Sequence, residues 1–229
     1  MRYAIYWAPA SGSALWRAGS RWLGRDAAGG SATPWPDVPG LAPGRFAELT
    51  REAARYGFHA TLKAPFELAA GLGEQDLLGA VRRLADRCAA FHVEAAPACL
   101  AGFPALRPLA VADEARLADL AGLAVRELHP LAATLSAADL NRRPGLTARE
   151  RERLETWGYP WVFDDYRFHV TLAALPASDR EREAVLAAAR AWFGAPLGLD
   201  IDALSVFRET LRGAPFERIA RFALGGGHA

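Results

Sequence analysis

The stretch Tyr-Gly-Phe-His-Ala-Thr-Leu at 56–62 returns as Tyr-Arg-Phe-His-Val-Thr-Leu at 166–172. This repeat constrains the fold more tightly than any other feature of the chain. In an extended strand, residues i and i+2 share a face. His59 and Thr61 therefore point one way, and Phe58, Ala60 and Leu62 the other. His169 and Thr171 oppose Phe168, Val170 and Leu172 in the same manner. One face of each copy is apolar and belongs in a core; the other presents an imidazole and a hydroxyl. Two of the chain's five histidines carry the pattern, which reads as a duplication.

The flanking elements repeat as well. After the first copy, residues 74–90 space Leu77, Leu78, Val81, Leu84, Ala85 and Cys88 as a buried helical stripe. Residues 91–100 and 105–112 then read as neighbouring strands. After the second copy, a strand over 166–175, comes a helix over 178–193, then strands over 197–208 and 215–224. Strand, helix, strand, strand occurs twice, which is an α+β order rather than alternating βαβ units. The expected architecture is a bilobal duplicated fold, with two antiparallel sheets and outer helices facing a central cleft. Residues 1–229 form a single bilobal domain. It has an N-terminal strand at 2–8, a first lobe around 46–134, a charged insertion at 141–160 and a second lobe around 161–224. Within the insertion, Thr147 and Glu150 carry the spacing of a capping box for a short helix. No glycine-rich phosphate loop follows any strand.

The polar faces carry chemistry. By parity Lys63 joins the side of His59, and Arg167 the side of His169, although Pro65 threatens the alternation near Lys63. Two like faces meeting across one cleft would combine two imidazoles, two hydroxyls and positive charge, which suits a phosphate diester. Histidine is the natural acid and base near neutral pH, at about 6.5 when unperturbed. One imidazole can take a proton from an attacking oxygen while the other gives one to the leaving alkoxide. Thr61, Thr171, Lys63 and Arg167 can hold the non-bridging oxygens. This chemistry demands neither a metal nor a cofactor. Tyr6, Arg142 and Arg143 are candidates for the cleft wall or a lid, whereas parity sends Tyr56 and Tyr166 to the core side. His92 and His129 have no partner pattern and read as structural.

Composition limits the partners. A net charge of +1 argues against a general nucleic-acid coat or a polybasic membrane anchor. The opening MRYAIYWAP alternates like a strand and lacks a signal layout, and no apolar run approaches a membrane span. Cys88 and Cys99 sit in no metal-ligand spacing. A cytoplasmic protein acting on a small phosphorylated substrate is expected, with a monomer as the default.

The paired His-x-Thr-Leu motifs resemble the two-histidine (2H) phosphoesterase superfamily. That superfamily includes cyclic nucleotide phosphodiesterases and enzymes that process RNA 2′,3′-cyclic phosphates. The resemblance implies metal-independent hydrolysis, with His59 and His169 as acid and base and Thr61 and Thr171 as phosphate ligands. Three longer stretches, RYGFHATLKAPF, LNRRPGLTARERERLETWGYP and YRFHVTL, are similar to an uncharacterised branch often encoded in phosphonate-utilisation operons. That narrower likeness implies a small cyclic or sugar-linked phosphodiester. Two other functions fit the same residues: a module that binds a phosphometabolite without turning it over, and an RNA-end 2′,3′-cyclic phosphodiesterase or 2′–5′ ligase. The sequence does not say which histidine is the acid.

Overall fold

The segment 197–208, expected as one strand, breaks at Asp202 into two strands serving distant parts of one sheet. In the computed structural model, residues 1–141 and 143–225 are described. Their eight strands are β1 (Arg2–Trp7), β2 (Ala60–Phe66), β3 (Phe91–Leu100), β4 (Phe103–Pro108), β5 (Val170–Thr171), β6 (Leu197–Ile201), β7 (Ala203–Glu209) and β8 (Glu217–Ala223). They pair in the order β6-β3-β4-β5-β2-β1-β7-β8, with every neighbour antiparallel. One residue joins β6, at one edge, to β7, next to the other edge. The sheet must therefore curl until its ends approach. Trp7 Nε1 on β1 crosses this gap and donates to Asp200 O on β6 at 2.9 Å.

The α+β class is as expected, but the sheet count differs. One sheet stands where two were anticipated, and it is pinched at its centre. β5 holds two residues instead of the ten expected at 166–175. It meets β2 through the single pair Ala60↔Val170, and β4 through Ala105↔Thr171 and Leu106↔Val170. The reason lies just before it: a 3-10 turn at Phe163–Asp165 and Arg167, whose guanidinium bonds to the carbonyls of Asp164 and Tyr166, divert the backbone from the ladder. The strands of the expected lobes also interleave. β2 lies with β1, β7 and β8, while β5 lies with β4, β3 and β6, so each motif-bearing strand takes neighbours from the other part of the chain.

Seven α-helices cover the sheet among the described residues. α1 (Ala14–Leu23) and α2 (Arg45–Tyr56) pack together, and α7 (Asp179–Phe193) lies against α1 and the β3–β4 half. Trp22, Phe46 and Phe193 interlock at their junction. α3 (Glu74–Asp86) and α4 (Val111–Leu128) cover β2, β7 and β8, burying Leu77, Val81, Leu84, Leu117 and Leu120. Leu123, on α4, is exposed. α5 (Ala137–Asn141) leads into the charged insertion, α6 (Ala148–Trp157) lies in it, and Thr147 and Glu150 close the capping box at the start of α6. Among the described residues, no helix is long and apolar enough to cross a membrane.

Candidate active site

The alternation of the two motifs survives folding. Phe58, Ala60, Leu62, Phe168, Val170 and Leu172 are buried, while His59, Thr61, His169 and Thr171 are half-buried. The single β2–β5 pair, Ala60↔Val170, then sets the geometry of the polar face. In an antiparallel pair the flanking residues also lie opposite one another, with Cβ atoms about 4.5–5.5 Å apart. His59 therefore lies opposite Thr171, and Thr61 opposite His169. The two motifs form a quartet around a local twofold through Ala60 and Val170.

Each imidazole is held in the same way. His59 Nδ1 donates to Gly57 O at 2.8 Å, and His169 Nδ1 to Arg167 O at 2.7 Å. A carbonyl only accepts, so both neutral rings carry their proton on Nδ1 and keep the Nε2 lone pair. His59 Nε2 lies 3.2 Å from Thr61 Oγ1, which donates to it. Gly57 makes the first of these contacts accessible. Its φ of 83° suits glycine, and a Cβ there would come within 2.5 Å of Ala27 Cβ. Gly57→Ala is expected to cost on the order of 1–3 kcal/mol from backbone strain alone. It should also displace the carbonyl that holds His59. Denaturant unfolding and turnover, measured on the same preparation, should both fall.

Burial governs the charge of the pair. His59 stacks on Tyr6 with ring centroids 3.8 Å apart, and its pKa is pushed down to about 4, chiefly by desolvation and further by His169. His169 meets the edge of Phe103 at 5.6 Å, and its pKa is lowered by burial, with Arg107 adding to the effect. Both rings are thus neutral near pH 7 in the free protein. Tyr6, anticipated on the cleft wall, is 1% exposed and backs the His59 ring instead.

A cavity of about 550 Å³ opens beside the quartet. Thr61, Lys63, Arg167 and His169 line it; His59, Thr171 and Tyr6 do not, and His59 reaches its wall through Thr61. The parity argument for Lys63 fails in detail. β1 pairs Tyr6 with Thr61 and Ile5 with Lys63, so β2 holds an extra residue between them, a bulge that buries Leu62 and Lys63 in succession. A second register shift follows before Phe66, across Pro65, which has no N–H for the ladder. Lys63 still reaches the cavity.

Other residues of the wall were not anticipated. Tyr166 lines the cavity, and its hydroxyl donates to Thr61 O at 3.0 Å, tying the two motifs together. Its place in the irregular stretch before β5 removes it from any strand parity. His129 and Tyr159 also line the wall, and nothing in their sequence context marks them. Arg143 lies over the rings of Tyr159 and Trp161, at 4.7 and 5.1 Å from their centroids, and so caps the wall from outside. Arg142 lies outside the described residues.

Several known proteins are similar to the chain. The chain is 42% identical over 220 residues to "Ribose 1,5-bisphosphate phosphokinase PhnN" of Laribacter hongkongensis (strain HLHK9), covering 94% of this chain and 50% of that protein. It is 38% identical over 239 residues to the protein of the same name from Janthinobacterium sp. (strain Marseille), covering 98% and 51%. The chain spans about half the length of the curated relatives it matches. The crystal structure of TT0787 of Thermus thermophilus aligns over 100% of both chains, at a TM-score of 0.49 and 16% identity. A family profile described as "Protein of unknown function (DUF1045)" matches residues 61–217, a span that takes in Thr61, His169 and Thr171. With most of its length inside that profile, the chain belongs to the DUF1045 family.

Proposed function

We propose that the chain is a metal-independent phosphodiesterase of the two-histidine type, hydrolysing a small cyclic phosphodiester on a sugar. The observation that carries this reading is the quartet. Two imidazoles with unprotonated Nε2 atoms and two hydroxyls share one face at the edge of a cavity sized for a small molecule. The name of the two relatives, ribose 1,5-bisphosphate phosphokinase, favours a ribose phosphate over a nucleotide. Opening a cyclic diester on ribose phosphate yields a ribose bisphosphate, the kind of compound that name describes. The likeness of the motifs to the phosphonate-operon branch favours a cytoplasmic role in phosphonate metabolism.

His59 has the lower pKa and acts as the base. Its Nε2 takes a proton from water as the oxygen adds to phosphorus. The bond from phosphorus to the leaving ring oxygen breaks, and protonated His169 gives that oxygen its Nε2 proton. Thr61, Thr171 and Arg167 hold the non-bridging oxygens, and the product is a phosphate monoester.

The decisive assay is a product screen over cyclic ribose and nucleoside phosphates, with and without chelator. Turnover of a cyclic sugar phosphate that survives chelation supports the reading. Cyclic phosphates that bind but stay intact for hours point to a binding module. Selective action on RNA ends, with steep salt dependence, points to the RNA enzyme. The pH profile tests the assignment of roles. kcat/KM reports the free groups, with the base neutral and the acid protonated. It should rise through about pH 4, where His59 loses its proton, and fall below pH 6.5, where His169 loses its own. An optimum above pH 7 would contradict this assignment.

A further inference from the structure

The cavity wall holds four described cations, and two of them already have carboxylate partners. Arg2 pairs with buried Glu209, and Arg212 pairs with Glu67 and Asp139. Arg167 and Lys63 have no carboxylate partner among the described residues. Arg167 is exposed, so water solvates its charge, but Lys63 is 3% exposed. Its ammonium group lies over the Phe66 ring at 4.8 Å, a weak substitute for a counter-ion. Next to it His129 lines the same cavity with its Nδ1 buried and unpartnered among the described residues, and the nearby Lys63 charge adds to burial in lowering the pKa of that ring. A buried cation beside an unsatisfied nitrogen is a poor arrangement for an empty protein and a good one for an anion.

The placement is also asymmetric. Around the local twofold the quartet is balanced, but the charge is not. Lys63 lies two residues beyond Thr61, and Arg167 two residues before His169, both on one side of the Ala60↔Val170 pair. On the other side the matching positions are Gly57 and Ala173, which carry none. Two residues of strand span about 6.5–7 Å. Across the bulge at Leu62 that is an upper bound, on the scale of one sugar with a phosphate at each end.

We infer that Lys63, with His129 beside it, forms a second anion subsite that holds a phosphate monoester carried on the same sugar as the cyclic diester. The inference rests on the phosphodiesterase reading of the quartet. It makes the substrate a cyclic phosphate of a sugar phosphate, bound in one orientation by an otherwise near-symmetric site. The depressed pKa of Lys63, pushed down to about 8 by burial alone, agrees with a cation left without its partner.

The test is calorimetric binding of ribose 5-phosphate at pH 7, which needs no turnover. Wild type should bind it saturably, and His169→Ala should bind it within about 3-fold of wild type. Lys63→Met should weaken it by roughly 10–100-fold, the scale of a charge-assisted hydrogen bond to a buried group. Thermal unfolding of each variant checks that it is folded, and His129→Gln, with an intermediate loss, covers a Lys63 variant that is not. The subsite is overturned if wild type does not bind the sugar phosphate, or if Lys63→Met binds as wild type does. It is equally overturned if His169→Ala weakens binding as much as Lys63→Met, because the monoester then occupies the quartet. The phosphodiesterase reading fails separately, when turnover of cyclic phosphates survives loss of either imidazole.

Discussion

Replacing His59 or His169 by alanine should lower kcat on an alkyl cyclic phosphodiester by about 10²–10⁴-fold, the usual worth of a positioned acid or base, if the proposed chemistry holds. The two variants should not behave alike on every substrate. A nitrophenolate leaves without a proton, so a nitrophenyl phosphodiester has little need of the general acid. His169→Ala should therefore recover most of its loss on that substrate, while His59→Ala, lacking the base, stays slow. Neither change should unfold the chain. The apolar faces of both motifs lie elsewhere in the core, and each imidazole forms its Nδ1 bond only to a local carbonyl. Steady-state kinetics on the two substrates, beside thermal unfolding, separates the roles. Equal recovery in both variants would sink the division of labour, and wild-type turnover in both would sink the chemistry.

What the sequence revealed and what it hid follow from the range of the forces involved. Alternation is local, so the repeat was enough to sort Phe58, Ala60 and Leu62 into the core and to bring His59 and Thr61 to one polar face, and likewise for the second copy. The capping box at Thr147 and Glu150 was legible for the same reason. Strand partnership is not local. The exchange that seats β2 in the half of the sheet with β1, β7 and β8, and β5 in the half with β4, β3 and β6, depends on burial summed over the whole sheet, and no periodicity encodes it. The break at Asp202 was invisible because apolar residues, Ile201 and Ala203, flank it on both sides and suit one continuing strand. Pro65 did warn of irregularity near Lys63, but the bulge falls at Leu62, where nothing in the residue type announces it. Tyr6 could not be placed by parity alone, because its face is set by the partner it stacks on, His59. His129 became visible only once folding brought the end of α4 over β2.

Lys63→Met should make the protein more stable at neutral pH, which is unusual for loss of a binding residue. Burial lowers the folded pKa of Lys63 from 10.5 to about 8. The unfolded chain therefore holds more protons than the folded one between pH 8 and 10.5, and stability rises with pH across that window. Below pH 8 the full penalty applies, on the order of 3 kcal/mol at 1.36 kcal/mol per pKa unit. Methionine fills a similar volume without the charge, and it forfeits only the contact with the Phe66 ring, roughly 0.5–1 kcal/mol. The net gain near pH 7 is then about 2 kcal/mol, or a Tm rise of roughly 4–8 °C for a chain of this size. The gain should shrink as pH climbs from 8 to 10.5, because the wild-type lysine sheds its proton in both states. Thermal unfolding of the pair of proteins at steps from pH 6 to 10.5 reads both the size and the slope. A gap that does not change with pH, or a destabilised Lys63→Met, would mean that Lys63 carries its charge at no cost, and a penalty held in reserve for a ligand would then be excluded. A rise in Tm paired with the loss of ribose 5-phosphate binding is the combination expected of a residue kept for an anion rather than for the fold.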